Sequence, residues 1–228
     1  PWIGESDTEI LLAAIEAWGL AASLQRSVGM AALALWDRRT RTLHLARDRF
    51  GEKPLYWGWL THPDVPGPGL LAFASELAAL KAVPGGTLGP VDPDALQAFL
   101  RLGCIPAPLC IHRGLQQLPP GHLVSLYASP AGGAPRQLPT SRAWWSLTAE
   151  AQAASAHHSD EPSSSLAALE ASLEQAVRDQ AIADVPLGAF LSGGIDSSLI
   201  TALLQAQSSS PVRSFTIAFP DQGGGEDG

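Results

Sequence analysis

The residues best suited to chemistry lie in one short run, LSGGIDSSL, between Leu191 and Leu199. An apolar stretch from Val185 leads into it, and apolar residues at helical spacing follow it, so the pattern predicts a strand, a tight turn and a helix. Glycine N–H groups, serine hydroxyls and the positive end of a helix would all point into such a turn. The run therefore predicts a site for an anion.

Three other interpretations of this run compete with an anion site. A Gly-Gly pair alone would indicate only an ordinary turn between a strand and a helix. A Walker A loop is excluded because no Gly-Lys-Ser/Thr occurs in the chain, so transfer of a γ-phosphate is not indicated. No Gly-x-Ser-x-Gly surrounds Ser192, which disfavours a serine hydrolase.

The run SGGIDSS resembles the pyrophosphate-binding loop of the ATP pyrophosphatases, which cleave ATP between the α and β phosphates. The resemblance implies ATP and Mg²⁺ as cofactors, with Asp196 helping to place the Mg²⁺. The residues that would hold the leaving pyrophosphate are Ser192, Gly193, Gly194, Asp196, Ser197 and Ser198.

Composition excludes several classes of partner. The chain has 228 residues and a net charge of -8, with no run of Lys or Arg, so no nucleic-acid partner is expected. No apolar run approaches the ~20 residues of a membrane span, so no membrane partner is expected. Cys104 and Cys110 have neither metal-type spacing nor a disulfide framework, which favours the cytoplasm. The chain opens at Pro1 and its one methionine is Met30, which suggests a piece of something longer.

The first half of the chain predicts two hairpins flanked by helices. Ser6 and Glu9 form a capping box that opens a helix ending at Gly19. The predicted hairpins join residues 28–36 to 42–46, and residues 55–60 to 70–74 across a Pro-Gly loop at 64–69. Later predicted elements are a helix capped by Ser75, a helix from Asp92 that carries Leu96, Phe99 and Leu100 inward, and a strand ending at Tyr127.

The second half begins with a segment that has no periodicity, from Ala128 to about Pro162, which predicts a linker. Trp144 and Trp145 inside it are expected to pack against a neighbouring domain. A helix from about Ser165 then leads to the glycine turn, and residues 212–219 predict a strand parallel to the first. Two parallel strands do not make a stable open sheet, so further strands are expected after Gly228.

Six segments in this order and at these spacings resemble the glutamine-hydrolysing asparagine synthetases: GESDTEILL, GMAALALWD, LARDRFGEKPLYW, FASELAALK, LPPGH and ADVPLGAFLSGGIDSS. The resemblance implies a mixed α/β and α+β chain with two domains. Residues 1–128 would be the C-terminal part of an Ntn-hydrolase αββα sandwich, and residues 129–162 a linker. Residues 163–228 would begin a parallel α/β sheet of the adenine nucleotide α-hydrolase type.

The resemblance also implies a reaction and its small-molecule substrates, glutamine, aspartate and ATP. Glutamine is hydrolysed at the first site, and ammonia passes through an internal tunnel to the second. There a β-aspartyl adenylate forms with loss of pyrophosphate, and ammonia displaces AMP. Asp7 would contact the amino group of glutamine, and Leu191 and Ile217 would contact the nucleotide, although both also fit a strand core. A homodimer is left open.

One departure from the family concerns the glutaminase nucleophile, which is an N-terminal cysteine in that family. Residue 1 here is Pro, and Cys104 and Cys110 lie far along the chain, so no catalytic residue is assigned. We expect a fragment truncated at both ends and inactive alone. Two alternatives stay open: an amidotransferase for another carboxylate, such as that of a sugar or a β-lactam precursor, and a truncated binding module.

Overall fold

A computed structural model of the chain describes residues 4, 6–128, 138–155 and 162–217. The chain divides into two compact units, residues 1–156 and residues 157–228, which are called the N-terminal and C-terminal units. Each unit has its own helices and strands.

The N-terminal unit is built on two antiparallel sheets. One sheet has the strand order β1-β2-β6-β7 and the other the order β4-β3-β5. In chain order the elements are α1 (Asp7–Trp18), α2 (Leu20–Arg26), β1 (Ala32–Asp37), β2 (Thr42–Arg47), β3 (Tyr56–His62), β4 (Val65–Ala74), α3 (Leu77–Lys81), α4 (Pro93–Leu102), β5 (Leu115–Gln117), β6 (His122–Tyr127), β7 (Arg142–Ala143) and α5 (Leu147–Ser155).

The two sheets pack face to face through one apolar cluster. Leu45 of β2 and Val124 of β6 meet Trp57 of β3, whose side chain is 1% exposed. Because side chains alternate along a strand, the next residues point the other way. Ala46 of β2 therefore packs with Leu24 of α2 on one outer face.

The outer face of the second sheet is covered in the same manner. Leu60 of β3 and Leu115 of β5 pack with Leu80 of α3 in a separate cluster. The layers are thus helix, sheet, sheet and helix. They pack together because apolar side chains on the strands alternate between the two faces of each sheet. This mixed α/β arrangement with antiparallel sheets is consistent with the expected sandwich.

The two predicted hairpins are confirmed, with one difference in the second. Strand β1 pairs with β2, and β3 with β4, both antiparallel. The Pro-Gly segment was expected to be a loop, but β4 already begins at Val65 and the turn is confined to residues 63–64. Proline is tolerated there because β4 is an edge strand of its sheet, where an N–H donor is not required on the open side.

The helix boundaries follow local capping chemistry. The Ser6 hydroxyl accepts a hydrogen bond from Thr8 N at 3.2 Å and α1 ends at Gly19, whose φ is +79°. Asp92 caps α4, as expected, by accepting bonds from the backbone N–H groups of its first turn. The predicted helix α3 is confirmed, but its predicted cap was wrong, because Glu76 rather than Ser75 precedes the helix and makes no side-chain cap.

The inward face predicted for α4 was also wrong. Ala95 is the buried residue of this helix, whereas Leu100 is 76% exposed and Leu96 and Phe99 are exposed as well. The spacing of apolar residues identifies a helix face, but the packing of neighbouring elements decides which face is covered. The short elements α2 and β5 were missed altogether.

Ordered structure lies inside the segment that was expected to be a linker. Strand β7 pairs with β6, and α5 follows it, so residues 138–155 carry elements of the N-terminal unit. Trp144 packs with the cluster around Leu24, and the Trp145 ring meets Phe50 edge-on at 5.1 Å. Residues 129–137 and 156–161 lie outside the described residues, and the exact domain boundaries stay a prediction.

The C-terminal unit contains α6 (Pro162–Gln180), β8 (Gly188–Phe190), α7 (Ile195–Gln207) and β9 (Arg213–Phe215). Strands β8 and β9 pair in parallel, with Ala189 opposite Ser214. Val177 of α6 and Ala189 of β8 are buried, and the Gln207 side chain donates to Glu174 O at 2.8 Å, which joins α7 to α6. The larger parallel sheet expected from the resemblance stays a prediction.

A buried carboxylate organises the turn that follows β2. Asp48 is 5% exposed, and its two oxygens accept four backbone N–H bonds. The donors are Ala31 at 3.2 Å, Phe50 at 3.1 Å, Glu52 at 2.9 Å and Lys53 at 3.0 Å. One side chain therefore fixes the turn at residues 48–53 and ties it to the entry of β1.

The arginines on either side extend this network. Arg47 donates to the carbonyl oxygens of Lys53 at 2.8 Å and Leu118 at 2.8 Å. Arg49 donates to Gln25 O at 2.6 Å, at the C-terminal end of α2, where a cation is favoured. Arg47, Asp48 and Arg49, called here the clasp, thus join α2, both sheets and the intervening turn.

Replacing Asp48 with Asn should lower the free energy of unfolding of the N-terminal unit by about 1–3 kcal/mol, because buried N–H donors lose a charged acceptor. Denaturant unfolding followed by tryptophan fluorescence measures this directly. All seven tryptophans lie between Trp2 and Trp145, in the N-terminal unit. Asp37→Asn is the matched control, since Asp37 accepts from Arg39 N and Thr40 N in a partly exposed hairpin turn. An equal loss in both variants would contradict a special role for the buried site.

The stability of the N-terminal unit should also fall in acid. Burial acts to raise the pKa of Asp48, but the backbone N–H groups of Lys53, Glu52 and Ala31 outweigh it and hold that pKa below its ordinary value. A lowered pKa means that the folded state favours the ionised form, so this stabilisation is complete above the ordinary pKa, about 3.9. It is lost as the pH falls through the folded-state pKa. Asp48→Asn should flatten the dependence of unfolding free energy on pH below about 4.

Candidate functional site

The turn predicted to bind an anion lies between β8 and α7, as the sequence indicated. Strand β8 ends at Phe190 and α7 begins at Ile195. Gly193 has a φ of +81°, which disfavours any residue with a side chain, and no atom lies within 4 Å of the position a Cβ would take. The glycine therefore both permits the turn and leaves open space above it.

Two serine hydroxyls close the turn from inside. Ser197 Oγ accepts from Ser192 N at 3.2 Å, lies 3.0 Å from Ser192 Oγ and donates to Gly194 O at 3.2 Å. These bonds draw the start of the turn onto the first turn of α7. These hydrogen bonds therefore hold the polar atoms of residues 192–197 close together.

The N-terminus of α7 carries free positive potential. Gly194 occupies the cap position of this 13-residue helix and makes no side-chain cap bond to its first N–H groups. Ser198 is exposed in that first turn. Such an end attracts negative charge, and Asp196 already benefits from it as a first-turn carboxylate.

A cleft of about 550 Å³ opens beside the turn. Asp196 and Ser197 line one side of it, and Leu173 and Val177 of α6 form part of its apolar wall. Phe190, at the end of β8, also contributes. An apolar wall with a few polar groups at one end is typical of a small-molecule site.

The two residues expected to contact a nucleotide lie at the ends of the paired strands. Leu191 N donates to Phe215 O at 2.8 Å, so Leu191 continues the pairing one residue beyond β8. Ile217 is 75% exposed, and the described residues therefore do not bury it as a strand core. In open α/β sheets, ligands bind at this end of the strands.

Asp7 lies in the N-terminal unit, at the first position of α1. Its Oδ1 accepts from the hydroxyls of Ser6 and Thr8, each at 3.4 Å, and the side chain is exposed. A carboxylate in the first turn is favoured by the helix dipole alone. Its assignment to glutamine therefore stays a prediction.

The protein ligands available to a metal are sparse. Among the described residues, no group of three or more His, Cys, Asp and Glu side chains could hold an ion. Mg²⁺ commonly takes one or two carboxylates together with phosphate oxygens, and Asp196 on the cleft fits that donor set. The residues at the turn are therefore compatible with Mg²⁺ that arrives with a nucleotide.

Sequence reasoning missed Thr216, which follows β9. Its hydroxyl donates to Leu191 O at 2.6 Å, directly at the start of the turn. A hydroxyl residue at a strand end gives no signal in the sequence, because only the parallel pairing brings it to the turn.

A strand, a glycine turn with serine hydroxyls and a helix without a side-chain cap form a candidate anion-binding site. Comparison with known proteins shows which families the chain matches. Residues 1–134 match the family described as a glutamine amidotransferase domain, and residues 168–228 match the family described as asparagine synthase. The chain belongs to the glutamine amidotransferase domain family, and its last 61 residues, 168–228, match the asparagine synthase family.

Individual relatives cover almost the whole chain. It is 35% identical over 221 residues to a putative asparagine synthetase (glutamine-hydrolyzing) of Mycobacterium tuberculosis, covering 96% of this chain and 31% of that protein. It is 30% identical over 223 residues to asparagine synthetase (glutamine-hydrolyzing) 3 of Bacillus subtilis, covering 95% and 32%. Amidase chyE of Penicillium rubens is 27% identical over 243 residues, covering 99% and 32%. The chain thus spans about a third of the length of these curated relatives.

The described ranges contain no helix with the length and apolar character needed to cross a bilayer.

Replacing Ser197 with Ala should loosen the turn, because Ser192 N loses its acceptor. We expect faster hydrogen exchange at the Ser192 amide, by about fivefold for a bond of roughly 1 kcal/mol. Amide exchange followed by NMR measures it. Ser198→Ala, one residue further along the same helix, should leave this amide unchanged, and acceleration in both variants would contradict the bonding described.

Proposed function

We propose that the complete protein makes asparagine from aspartate, with glutamine as the nitrogen donor and ATP as the energy source. The observation that carries this proposal is the glycine and serine turn, 192–198, at the carboxyl end of β8. Support comes from the two family matches, which lie in the order of a glutaminase followed by a synthetase. In this proposal the N-terminal unit is part of an Ntn-type glutaminase. The C-terminal unit begins an adenine-nucleotide-binding parallel sheet.

The proposed chemistry cleaves ATP between its α and β phosphates. A carboxylate oxygen of aspartate attacks the α-phosphorus, and the bond from that phosphorus to the bridging oxygen breaks, releasing pyrophosphate. Ammonia then attacks the carbonyl carbon of β-aspartyl-AMP, and AMP leaves with the electron pair of the carbon–oxygen bond. The turn and the uncapped end of α7 would stabilise charge as it accumulates on the departing pyrophosphate.

Each residue of the turn has a distinct role in this proposal. The glycines, Gly193 and Gly194, let the backbone N–H groups approach the phosphates closely. The hydroxyls of Ser192, Ser197 and Ser198 would donate to phosphate oxygens, so the Ser192–Ser197 contact would rearrange on binding. Leu191 and Ile217 would flank the nucleotide.

Asp196 would bind Mg²⁺ together with the phosphates. The cation would neutralise negative charge on the phosphate oxygens when bound. Asp196 lies on the cleft wall next to Ser197, where a single carboxylate could meet a phosphate-bound cation.

The N-terminal unit would supply ammonia. Asp7 would bind the amino group of glutamine through its exposed carboxylate. The cysteine nucleophile of this family is not assigned to any residue of this chain. We also expect a cytoplasmic protein, since Cys104 and Cys110 are both free thiols, and a homodimer is left open.

Replacing Asp196 with Asn in the complete protein should abolish AMP formation while glutaminase activity remains, because only the synthetase step needs this carboxylate. AMP and glutamate are measured in the same reaction. Asp184→Asn, an exposed carboxylate before β8, removes the same charge outside the turn and should retain both activities. Retained AMP formation in Asp196→Asn would contradict the assignment of the turn.

Replacing Asp7 with Asn should have the opposite effect. The glutamine concentration needed for half-maximal asparagine synthesis should rise by at least about tenfold, as expected when a charged partner of an amino group is lost. Synthesis driven by added ammonium should be unchanged. Glu16→Gln, on the exposed side of the same helix, serves as the control. Equal glutamine requirements in wild type and Asp7→Asn would overturn the assignment.

A second candidate is an amidotransferase that acts on a different carboxylate. The similarity to amidase chyE supports this candidate. That protein, which is not named as an asparagine synthetase, matches 99% of this chain. Release of AMP and pyrophosphate that does not depend on aspartate would favour this candidate. Strict dependence on aspartate would exclude it.

A further inference from the structure

We infer that Thr216 is a positioning residue for the pyrophosphate-binding turn, setting the direction of the Ser192 N–H group through a cross-strand hydrogen bond. The inference rests on the proposed function and deepens it. Thr216 would contact no phosphate itself and would act through the backbone of Leu191.

The contact joins the two strands just where the turn starts. Leu191 N donates to Phe215 O at 2.8 Å, which anchors one side of Leu191 to the partner strand. Toward the same strand, Thr216 Oγ1 donates to Leu191 O at 2.6 Å. The carbonyl of Leu191, at the last paired position, therefore accepts from a side-chain hydroxyl. That hydroxyl belongs to the residue that follows the end of β9 at Phe215.

Peptide geometry carries the effect to the next residue. The peptide between Leu191 and Ser192 is planar and trans, so its C=O and N–H groups point in opposite directions. When Thr216 holds the carbonyl toward β9, the Ser192 N–H must point away from β9. It points toward α7, where Ser197 Oγ accepts it at 3.2 Å.

This direction is the one that an anion would need. The same N–H lies beside Ser197 and the uncapped start of α7, so a bound phosphate oxygen could replace the Ser197 hydroxyl as its acceptor. Without the Thr216 bond, the carbonyl could turn toward the site and present a negative atom to the pyrophosphate. Thr216 therefore disfavours a conformation that would repel the ligand.

A simpler explanation for Thr216 is its β-branched side chain, which suits a strand end. Thr216→Val separates the two explanations because valine keeps the branched shape and removes only the donor. Thr216→Ser does the reverse, keeping the hydroxyl and removing the methyl group. Ser214→Ala is the control, since it removes a hydroxyl from β9 at the position paired with Ala189 rather than beside Leu191.

The test measures binding of inorganic pyrophosphate, in the presence of Mg²⁺, to the complete protein by titration calorimetry. Thr216→Val should raise the dissociation constant by about five- to tenfold, the factor expected for one lost hydrogen bond near a charged ligand. Thr216→Ser and Ser214→Ala should stay within about twofold of wild type. Melting temperatures of all variants show whether a loss of affinity follows a loss of folding.

The Ser192 amide provides a second, direct readout. Its NMR resonance should move in Thr216→Val and return to the wild-type position in Thr216→Ser, which a purely structural role for the methyl groups would not produce. Wild-type affinity in Thr216→Val, or weakened binding in both Thr216 variants, would overturn this inference and leave the proposed function standing. Wild-type protein that binds no pyrophosphate would instead contradict the proposed function and the inference together.

Discussion

Parallel pairing of β8 with β9 is the constraint on which the candidate site depends. Parallel strands end at the same edge of a sheet, so the carboxyl ends of β8 and β9 lie side by side. The chain must then turn sharply into α7, and Gly193 at a φ of +81° makes that turn without strain. The turn, the start of α7 and Thr216 meet there because the two strands end together.

The N-terminal unit depends on a different interaction, the buried carboxylate of Asp48. Four backbone N–H groups converge on it, and the flanking arginines hold carbonyl groups of the same region. A charge at 5% exposure is tolerated because these donors replace the water it loses. The clasp thus joins α2 to the two sheets, and the Trp144 indole N–H donates to Arg47 O at 3.2 Å.

Much of the fold followed from the sequence, and the failures have a common physical origin. Apolar runs separated by turn residues identified both hairpins, and the Ser6 and Asp92 caps identified two helix starts. The inward face of α4 was wrong because burial depends on neighbouring elements that the spacing of Leu96, Phe99 and Leu100 does not specify. Strand β7 was missed because its two residues owe their conformation to pairing with β6 rather than to their own pattern.

At the candidate site, the sequence by itself determined the turn. The turn needs a glycine that can take a positive φ, short hydroxyl side chains and a helix that follows, and residues 192–198 supply all three locally. The tertiary structure alone decided what surrounds that turn. It placed the Thr216 hydroxyl on the Leu191 carbonyl and brought α6 alongside as an apolar wall. Contacts between residues far apart in the chain depend on strand pairing and helix packing, and no local pattern encodes them.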